Sequence, residues 1–191
     1  MIILIRHCKP NIDYSLSGYS GAVSKVDEYN TTENIKTEEI LPLANRVEHI
    51  LNDKDSIIFA STRPRSAITA KKLFALRQEE IIFDNKFIEF DLKILPLPFV
   101  KMSFGAWATI SRILWFLRLL PSERSVSYEL NRAKECADIL YDKAKSGAPV
   151  VLVAHGLLNK SIEKHLKPKG YTRISKVNNG FFSITELRAI D

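Results

Sequence analysis

The sequence predicts an α/β protein, a three-layer α/β/α sandwich around a mostly parallel central sheet. Two observations favour this fold class. Short runs that are apolar at nearly every position, as in strands covered on both faces, occur at Met1–Arg6, Ser56–Ala60 and Pro149–Ala154. Stretches with apolar residues at helical spacing separate these runs, and strands that alternate with helices are typical of parallel sheets.

The remaining helices and strands are predicted from the positions of proline and glycine and from the spacing of apolar residues. Pro64 is a natural first-turn residue and predicts a helix after the second strand. The clearest helix spans Ser127 to Ser146, and Gly147 ends it. Two further strands are expected at Ile81–Phe83 and at Phe181–Leu187, the second of which closes the sheet.

Two segments are less regular. The polar stretch from Asp13 to Lys36 carries turn residues and is expected to form a long loop with at most one short helix. Thr37, followed by two glutamates, predicts the start of a helix whose apolar face runs from Ile40 to Leu51.

Composition limits the class of protein. The chain has 191 residues and a net charge of +6, a modest excess that favours anionic ligands without indicating a nucleic-acid surface. No secretory leader and no membrane-spanning helix are predicted. The cysteines and histidines show no metal-ligand spacing, so we expect no metal and a reducing, cytoplasmic location.

Basic and polar residues follow three of the predicted strands. Arg6 and His7 end the first strand, Arg65 begins the helix after the second, and His155 follows the strand that ends at Ala154. Ligands of open α/β sheets lie outside the carboxyl ends of parallel strands, where helix starts also favour anions. These side chains are therefore expected to converge on an anion-binding pocket, although spacing alone allows Arg65 to form a structural salt bridge equally well.

Four motifs in this order resemble those of the histidine phosphatase, or phosphoglycerate mutase-like, superfamily. The stretch LIRHCKP resembles the opening RHG motif, STRPRSAITA the second signature, and VLVAHG the strand that ends in His-Gly. Glu89 occupies the place where the family's acidic residue is expected. The chain departs from the pattern at Cys8, where the family has glycine, and Asp91 competes with Glu89 for the acidic position.

The resemblance implies covalent chemistry without metal or cofactor. His7 is then the nucleophile that forms a phosphohistidine, while Arg6, Arg65 and His155 bind the phosphoryl oxygens. Glu89 protonates the leaving alkoxide and afterwards helps water to attack the phosphohistidine. The implied substrate is a small-molecule phosphate ester, and no nucleic-acid or membrane partner is expected.

Two other activities compete with a phosphatase. A phosphoglycerate mutase-type phosphoryl transferase shares the catalytic residues, but the chain is short for one and the residues after the first motif do not fit it. A non-catalytic module that binds a phospholigand is the alternative from a different class. Cys8 is the feature that favours this module.

The chain is expected to form one domain, 1–191, with a hydrophobic segment inserted at about 96–122 near the mouth of the pocket. One hypothesis makes this segment a lid that favours a phosphate ester with a bulky organic portion. The favoured alternative is an amphipathic helix that packs Ile113, Leu117 and Leu120 onto the core.

Overall fold

The computed structural model describes residues 1–38, 40 and 53–190. Strands and α-helices alternate along much of the chain. In chain order, the strands are β1 (Ile2–Arg6), β2 (Leu16–Ser17), β3 (Ile57–Ser61), β4 (Ile82–Asp84), β5 (Met102–Ser103), β6 (Val150–Ala154), β7 (Tyr171–Val177) and β8 (Ile184–Ala189). The helices are α1 (Tyr19–Thr31), α2 (Pro64–Leu73), α3 (Phe104–Phe116), α4 (Val126–Ala144) and α5 (Gly156–Leu166). Short 3₁₀ turns lie at Ala75–Glu80, Asn85–Phe87 and Lys167–Lys169.

Six strands form the central sheet in the order β4-β3-β6-β1-β8-β7. Strands β4, β3, β6 and β1 are parallel, whereas β8 and β7 are antiparallel additions at the β1 side. Arg6 lies opposite Ala154 in the β1–β6 register. The residues that follow β1, β3 and β6 are therefore brought to one edge of the sheet, as the sequence predicted.

Alternate residues of the central strands face two separate hydrophobic clusters. Ile2 and Leu4 belong to the cluster on the α4 and α5 side, whereas Ile3 and Ile5 belong to the cluster that includes Ala70 of α2. Both faces of the sheet are thus covered, which explains why its parallel strands are apolar at nearly every position. The predicted three-layer α/β fold with a mostly parallel sheet is confirmed.

The four predicted parallel strands agree with the structure to within one residue at either end. The closing strand β8 begins at Ile184 rather than at Phe181. Strand β7 was not predicted. Only Tyr171 of its seven residues is buried, because it is an edge strand and so lacks the apolar run that marks a covered strand.

The expectation of a loop with at most one short helix between Asp13 and Lys36 was wrong. Helix α1 has 13 residues and spans Tyr19–Thr31. Ala22 is its one fully buried residue, so the helix carries almost no apolar stripe for a periodicity argument to detect. The helix predicted to start at Thr37 falls mostly outside the described residues and stays a prediction.

Within the segment at about 96–122, α3 buries a different face from the one predicted. Trp107, Ser111 and Trp115, spaced four residues apart, point inward. The indole N–H of Trp107 donates to the Ser17 carbonyl at 2.9 Å and anchors this face. Of the residues expected to pack on the core, Leu120 is buried, but Ile113 and Leu117 are 53% and 62% exposed. The predicted packing face was therefore wrong at two of its three positions.

None of the α-helices in the described ranges is both long enough and apolar enough to cross a bilayer.

Candidate active site

The two histidines that follow β1 and β6 lie side by side at the carboxyl edge of the sheet. The ring centroids of His7 and His155 are 5.1 Å apart, and both side chains are almost completely buried. The structure therefore brings these two predicted site residues together. Their proximity results directly from the parallel β1–β6 pairing.

Hydrogen bonds on both ring nitrogens define the state of His7. Nδ1 lies 2.6 Å from the Cys8 carbonyl oxygen, and Nε2 lies 3.1 Å from the Nε–H of Arg65. A carbonyl oxygen accepts and a guanidinium donates. The proton of a neutral His7 is therefore on Nδ1, and the Nε2 lone pair accepts from Arg65. The Tyr29 hydroxyl is also close to Nε2, at 3.4 Å.

Burial holds the pKa values of both histidines well below 6.5, and the positive charge of Arg65 lowers them further. The hydrogen bond from Nδ1 of His7 to the Cys8 carbonyl raises the pKa of His7, but this effect is smaller than that of burial and charge. Both rings are neutral at physiological pH, which is the state that a nucleophilic imidazole requires.

Arg65 is a buried cation, only 1% exposed, whose hydrogen-bond partners are all uncharged. Besides His7, its guanidinium donates from Nη1 to the Tyr29 carbonyl at 2.9 Å and to the Asn30 amide oxygen at 3.2 Å. It also stacks on the Tyr29 ring, and burial lowers the pKa of the guanidinium. Among the described residues it forms no salt bridge, so the structure does not support the alternative that spacing left open. The negative charge of Glu89 raises the pKa of the guanidinium, but Glu89 forms no hydrogen bond with it. A buried cation without a hydrogen-bonded anionic partner favours an anionic ligand.

His155 has one satisfied and one unsatisfied ring nitrogen. Its Nε2 lies 2.8 Å from the Ser61 hydroxyl oxygen and 3.4 Å from that of Ser66. Its Nδ1 is buried and has no hydrogen-bond partner in the described part of the chain. A buried polar atom of this kind costs free energy unless a ligand or water pairs with it.

Arg6 also has a buried nitrogen that lacks a hydrogen-bond partner in the part of the chain that the structure describes. Its Nε is buried without a partner among the described residues, and its guanidinium stacks on the Phe181 ring at 4.1 Å. A Cβ at position 156 would lie 3.3 Å from that Nε. Gly156 thus lets the Arg6 side chain pass close to the start of α5, which explains the glycine after His155.

The Glu89 carboxylate lies at the N-terminus of α5, immediately after His155. Its oxygens accept the backbone N–H groups of Leu157 and Leu158 at 3.3 and 3.2 Å. Asp91, the competing acid, accepts instead from the Ser122 hydroxyl at 2.5 Å. Glu89 lines the cavity next to Arg6 and also the one that borders Arg65, whereas Asp91 lines only the second, so the geometry favours Glu89 as the acid.

A buried ion pair on α4 holds the loop that carries Glu89. Arg132 and Glu129 are paired with each other inside the protein. Arg132 also donates to the Ile88 carbonyl at 2.8 Å, and Glu129 accepts from the Asp91 N–H at 3.3 Å. The loop is therefore fixed on both sides of Glu89. Sequence reasoning did not find this pair, because nothing in the i, i+3 spacing distinguishes it from an exposed surface pair.

Two cavities that share wall residues adjoin these side chains. The larger, about 570 Å³, extends past Arg6 and Glu89, and the smaller, about 110 Å³, borders Arg65. Tyr29 and Glu89 belong to the walls of both. His7 and His155 lie behind these walls rather than on them.

The segment at about 96–122 forms part of the larger cavity wall. It contributes Ser103, Phe104, Gly105, Ala108, Thr109 and Arg112.

Tyr29, which lies against both His7 and Arg65, was not predicted as a site residue. It belongs to the helix that the sequence analysis missed, and no motif of the resemblance includes it.

Cys8 is buried on the side of the sheet that faces α2, within the second hydrophobic cluster. Its backbone N–H donates to the Thr69 hydroxyl at 3.0 Å. Cys8 is not part of either cavity wall. This position is consistent with a small residue that replaces glycine without narrowing the pocket.

The buried neutral histidines predict that the protein loses stability in mild acid. The unfolded chain takes up protons at His7 and His155 below about pH 6.5, whereas the folded chain does not. The free energy of unfolding is therefore fully present above that pH. It should fall by roughly 1.4 kcal/mol per pH unit for each of these histidines as the pH decreases further.

Urea denaturation between pH 5 and 7.5 measures this slope. Replacing His155→Asn should remove about half of it, whereas the matched change His165→Asn, at a half-buried histidine of α5, should leave most of it. A free energy of unfolding that does not vary over this pH range would contradict the assignment of buried neutral rings.

No protein-family model and no curated protein sequence matches the chain. Solved structures with a similar fold do exist. YhfR from Bacillus stearothermophilus matches 87% of this chain and 79% of its own, at a TM-score of 0.54 and 17% identity. A mycobacterial glucosyl-3-phosphoglycerate phosphatase matches 86% of this chain and 78% of its own, with a TM-score of 0.52 and 16% identity.

A phosphoserine phosphatase from Entamoeba histolytica, solved with 3-phosphoglyceric acid, matches 98% of this chain and 94% of its own. Its TM-score is 0.53 and its identity 18%. These neighbours are members of the histidine phosphatase superfamily. The chain therefore has the fold of the histidine phosphatase, or phosphoglycerate mutase-like, superfamily, in agreement with the resemblance of its motifs.

Proposed function

We propose that this chain is a metal-independent phosphatase that hydrolyses a small-molecule phosphomonoester through a phosphohistidine on His7. The observation that carries the proposal is the buried Arg65 cation, which has no carboxylate partner among the described residues and lies 3.1 Å from His7 Nε2. A dianionic phosphoryl group bound there supplies the missing negative charge. The phosphatases of similar fold also support a phosphatase activity.

Nε2 of His7 is the attacking atom in this proposal. It carries the lone pair, because the ring proton is on Nδ1 and donates to the Cys8 carbonyl. Ligand entry requires the Arg65 N–H and the Tyr29 hydroxyl to exchange their contacts with Nε2 for contacts with the phosphoryl oxygens. Attack then forms the N–P bond as the P–O bond to the leaving alcohol breaks.

Three groups stabilise the charge on the phosphoryl oxygens. Arg65 and Arg6 supply guanidinium N–H groups, and His155 supplies an N–H from Nδ1 while its Nε2 accepts from the Ser61 hydroxyl. The Arg6 Nε and the His155 Nδ1 are both buried without partners in the described part of the chain, as is Nη1 of Arg112, a residue that lines both cavities. A bound phosphoryl group would pair with the Arg6 and His155 atoms.

Glu89 is the proposed general acid and then the general base. As acid it gives a proton to the leaving alkoxide, and as base it takes one from the water that attacks the phosphohistidine. Its position in the walls of both cavities, with Arg6 in one wall and Arg65 in the other, supports this role. We also propose a cytoplasmic setting, because Cys8 and Cys136 are both buried thiols.

The proposal predicts that replacing the nucleophile His7 abolishes most of the hydrolytic activity. With chelator present, wild-type protein should hydrolyse para-nitrophenyl phosphate, and His7→Ala should lower kcat by at least about 10³-fold. The control His165→Ala changes a histidine of α5 that lines neither cavity and should keep the activity.

Activity that survives in His7→Ala would show that the nucleophile is wrong. If the wild-type protein has no activity, the phosphatase proposal fails and the two alternatives are compared directly. Interconversion of phosphoglycerates would indicate the mutase-type transferase. Binding of phosphate without turnover would indicate the non-catalytic module.

Esters whose leaving groups differ in basicity show whether Glu89 or Asp91 is the general acid. For an alkyl phosphate, Glu89→Gln should lower kcat/KM by roughly 10²–10⁴-fold, because a basic alkoxide needs the proton. For para-nitrophenyl phosphate the loss should be much smaller, because nitrophenolate leaves without one. The matched variant Asp91→Asn should leave both values close to wild type, and the reverse pattern would assign the acid to Asp91.

A further inference from the structure

The larger cavity continues beyond Arg6 into a crevice between α5 and the β7–β8 hairpin. We call this part the polar arm, and its polar lining residues are Asn159, Lys160, Glu163, Lys176, Asn179, Ser183 and Thr185. The part of the same cavity against α3 is lined by Phe104 and Ala108 and also by Ser103, Thr109 and Arg112. Arg6 and Glu89 line the same cavity.

Asn159 presents a fixed and unused acceptor to the polar arm. Its side-chain amide N–H donates to the Ile5 carbonyl at 3.1 Å, which fixes the orientation of the amide. Its Oδ1 is buried without a hydrogen-bond partner in the described part of the chain, and the residue is only 8% exposed. This oxygen can therefore accept a hydrogen bond from a ligand or a water molecule in the crevice.

Two hydroxyl groups, that of Thr185 in β8 and that of Ser183 just before this strand, line the same crevice. Thr185 lies opposite Leu4 of β1, and Ser183 accepts the Arg6 backbone N–H at its carbonyl oxygen. Neither side-chain hydroxyl is hydrogen-bonded to another of the described residues. Both can therefore donate to, and accept from, a bound molecule.

The charges of the polar arm argue against a cationic ligand. Glu163 is paired with Arg173 through two hydrogen bonds, at 2.9 and 2.7 Å, so its carboxylate is already neutralised. Lys160 and Lys176 are exposed at the rim. An ammonium group would meet two lysines and no unpaired carboxylate there, whereas a neutral hydroxyl group meets one unused acceptor and two hydroxyls.

The distance to the phosphate end suits a small polyhydroxylated group. Leu4, opposite Thr185, and Arg6 are two residues apart along β1, so their Cα atoms are about 7 Å apart. A pentose or hexose esterified at its end spans such a distance. A substrate with its phosphoryl group at Arg6 can therefore place hydroxyl groups beside Thr185 and Asn159.

We propose that the polar arm binds the hydroxyl groups of the leaving alcohol, so that the preferred substrates are phosphomonoesters of sugars or polyols. The inference rests on the proposed phosphatase function of the adjoining site. It adds a specificity determinant, formed by Asn159, Ser183 and Thr185, that none of the motifs of the resemblance contains.

A pair of esters that differ in hydroxyl content tests the proposal. Glucose 6-phosphate and n-hexyl phosphate are both primary esters of six-carbon alcohols, but only the sugar can donate to the polar arm. Wild-type kcat/KM should be at least about tenfold higher for glucose 6-phosphate, because a polar site rejects a ligand that leaves its groups unpaired.

The variant Thr185→Val removes one hydroxyl group at nearly constant volume. It should lower the preference for glucose 6-phosphate over hexyl phosphate roughly five- to tenfold, the effect of one hydrogen bond. Ser183→Ala is a second variant with the same expectation if Thr185→Val does not fold. The control Thr172→Val, at an exposed threonine of β7 that lines no part of the cavity, should keep the wild-type preference.

Equal efficiency on the two esters, a preference for hexyl phosphate, or a preference that both variants leave unchanged would overturn the proposal. Calorimetric binding to the His7→Ala protein separates this outcome from failure of the phosphatase function. If the chain hydrolyses no ester, tighter binding of glucose 6-phosphate than of hexyl phosphate, weakened by Thr185→Val, would still support the polar arm. Equal binding of the two would overturn it.

Discussion

The hydrogen bond from Arg65 to His7 Nε2 is the interaction on which the site depends. A guanidinium N–H can point at that nitrogen, at 3.1 Å, only if the nitrogen carries a lone pair. The ring proton is therefore on Nδ1, where the Cys8 carbonyl accepts it. Much of the surrounding fold maintains this geometry: parallel pairing of β1 and β6 sets the position of His7, and α1 holds the Arg65 guanidinium through Tyr29 and Asn30.

The same arrangement is costly for the protein without a ligand. Arg65 is a buried cation among uncharged partners, and the Arg6 Nε and the His155 Nδ1 are buried without partners among the described residues. Burial of such groups is unfavourable unless something pairs with them. In the proposed function, one dianionic phosphoryl group relieves all three costs at once, so binding energy and charge stabilisation would come from the same groups. The unused acceptor of Asn159 extends this reasoning to the part of the cavity that faces the leaving alcohol.

The sequence predicted the parts of the molecule whose physical signals are local. Strands covered on both faces are apolar throughout, and the side chains after β1, β3 and β6 converge because parallel strands end at one edge. Signals were missing where burial is slight or where partners are distant in sequence. Helix α1 buries only Ala22 fully, and β7 is an exposed edge strand, so neither showed a periodic pattern. The Arg132–Glu129 pair and the position of Tyr29 depend on tertiary contacts that no spacing rule contains.

The most direct test is to trap the covalent intermediate. Wild-type protein is quenched during turnover of a phosphate ester, and the phosphoryl group is then located by mass spectrometry of peptides kept in alkali, where a phosphohistidine survives. The proposed mechanism predicts a phosphoryl group on His7, lost in acid and absent from the His7→Ala protein. A phosphoryl group on His155, on Cys8 or on another residue, or turnover without any phosphorylated enzyme, would contradict His7 as the nucleophile.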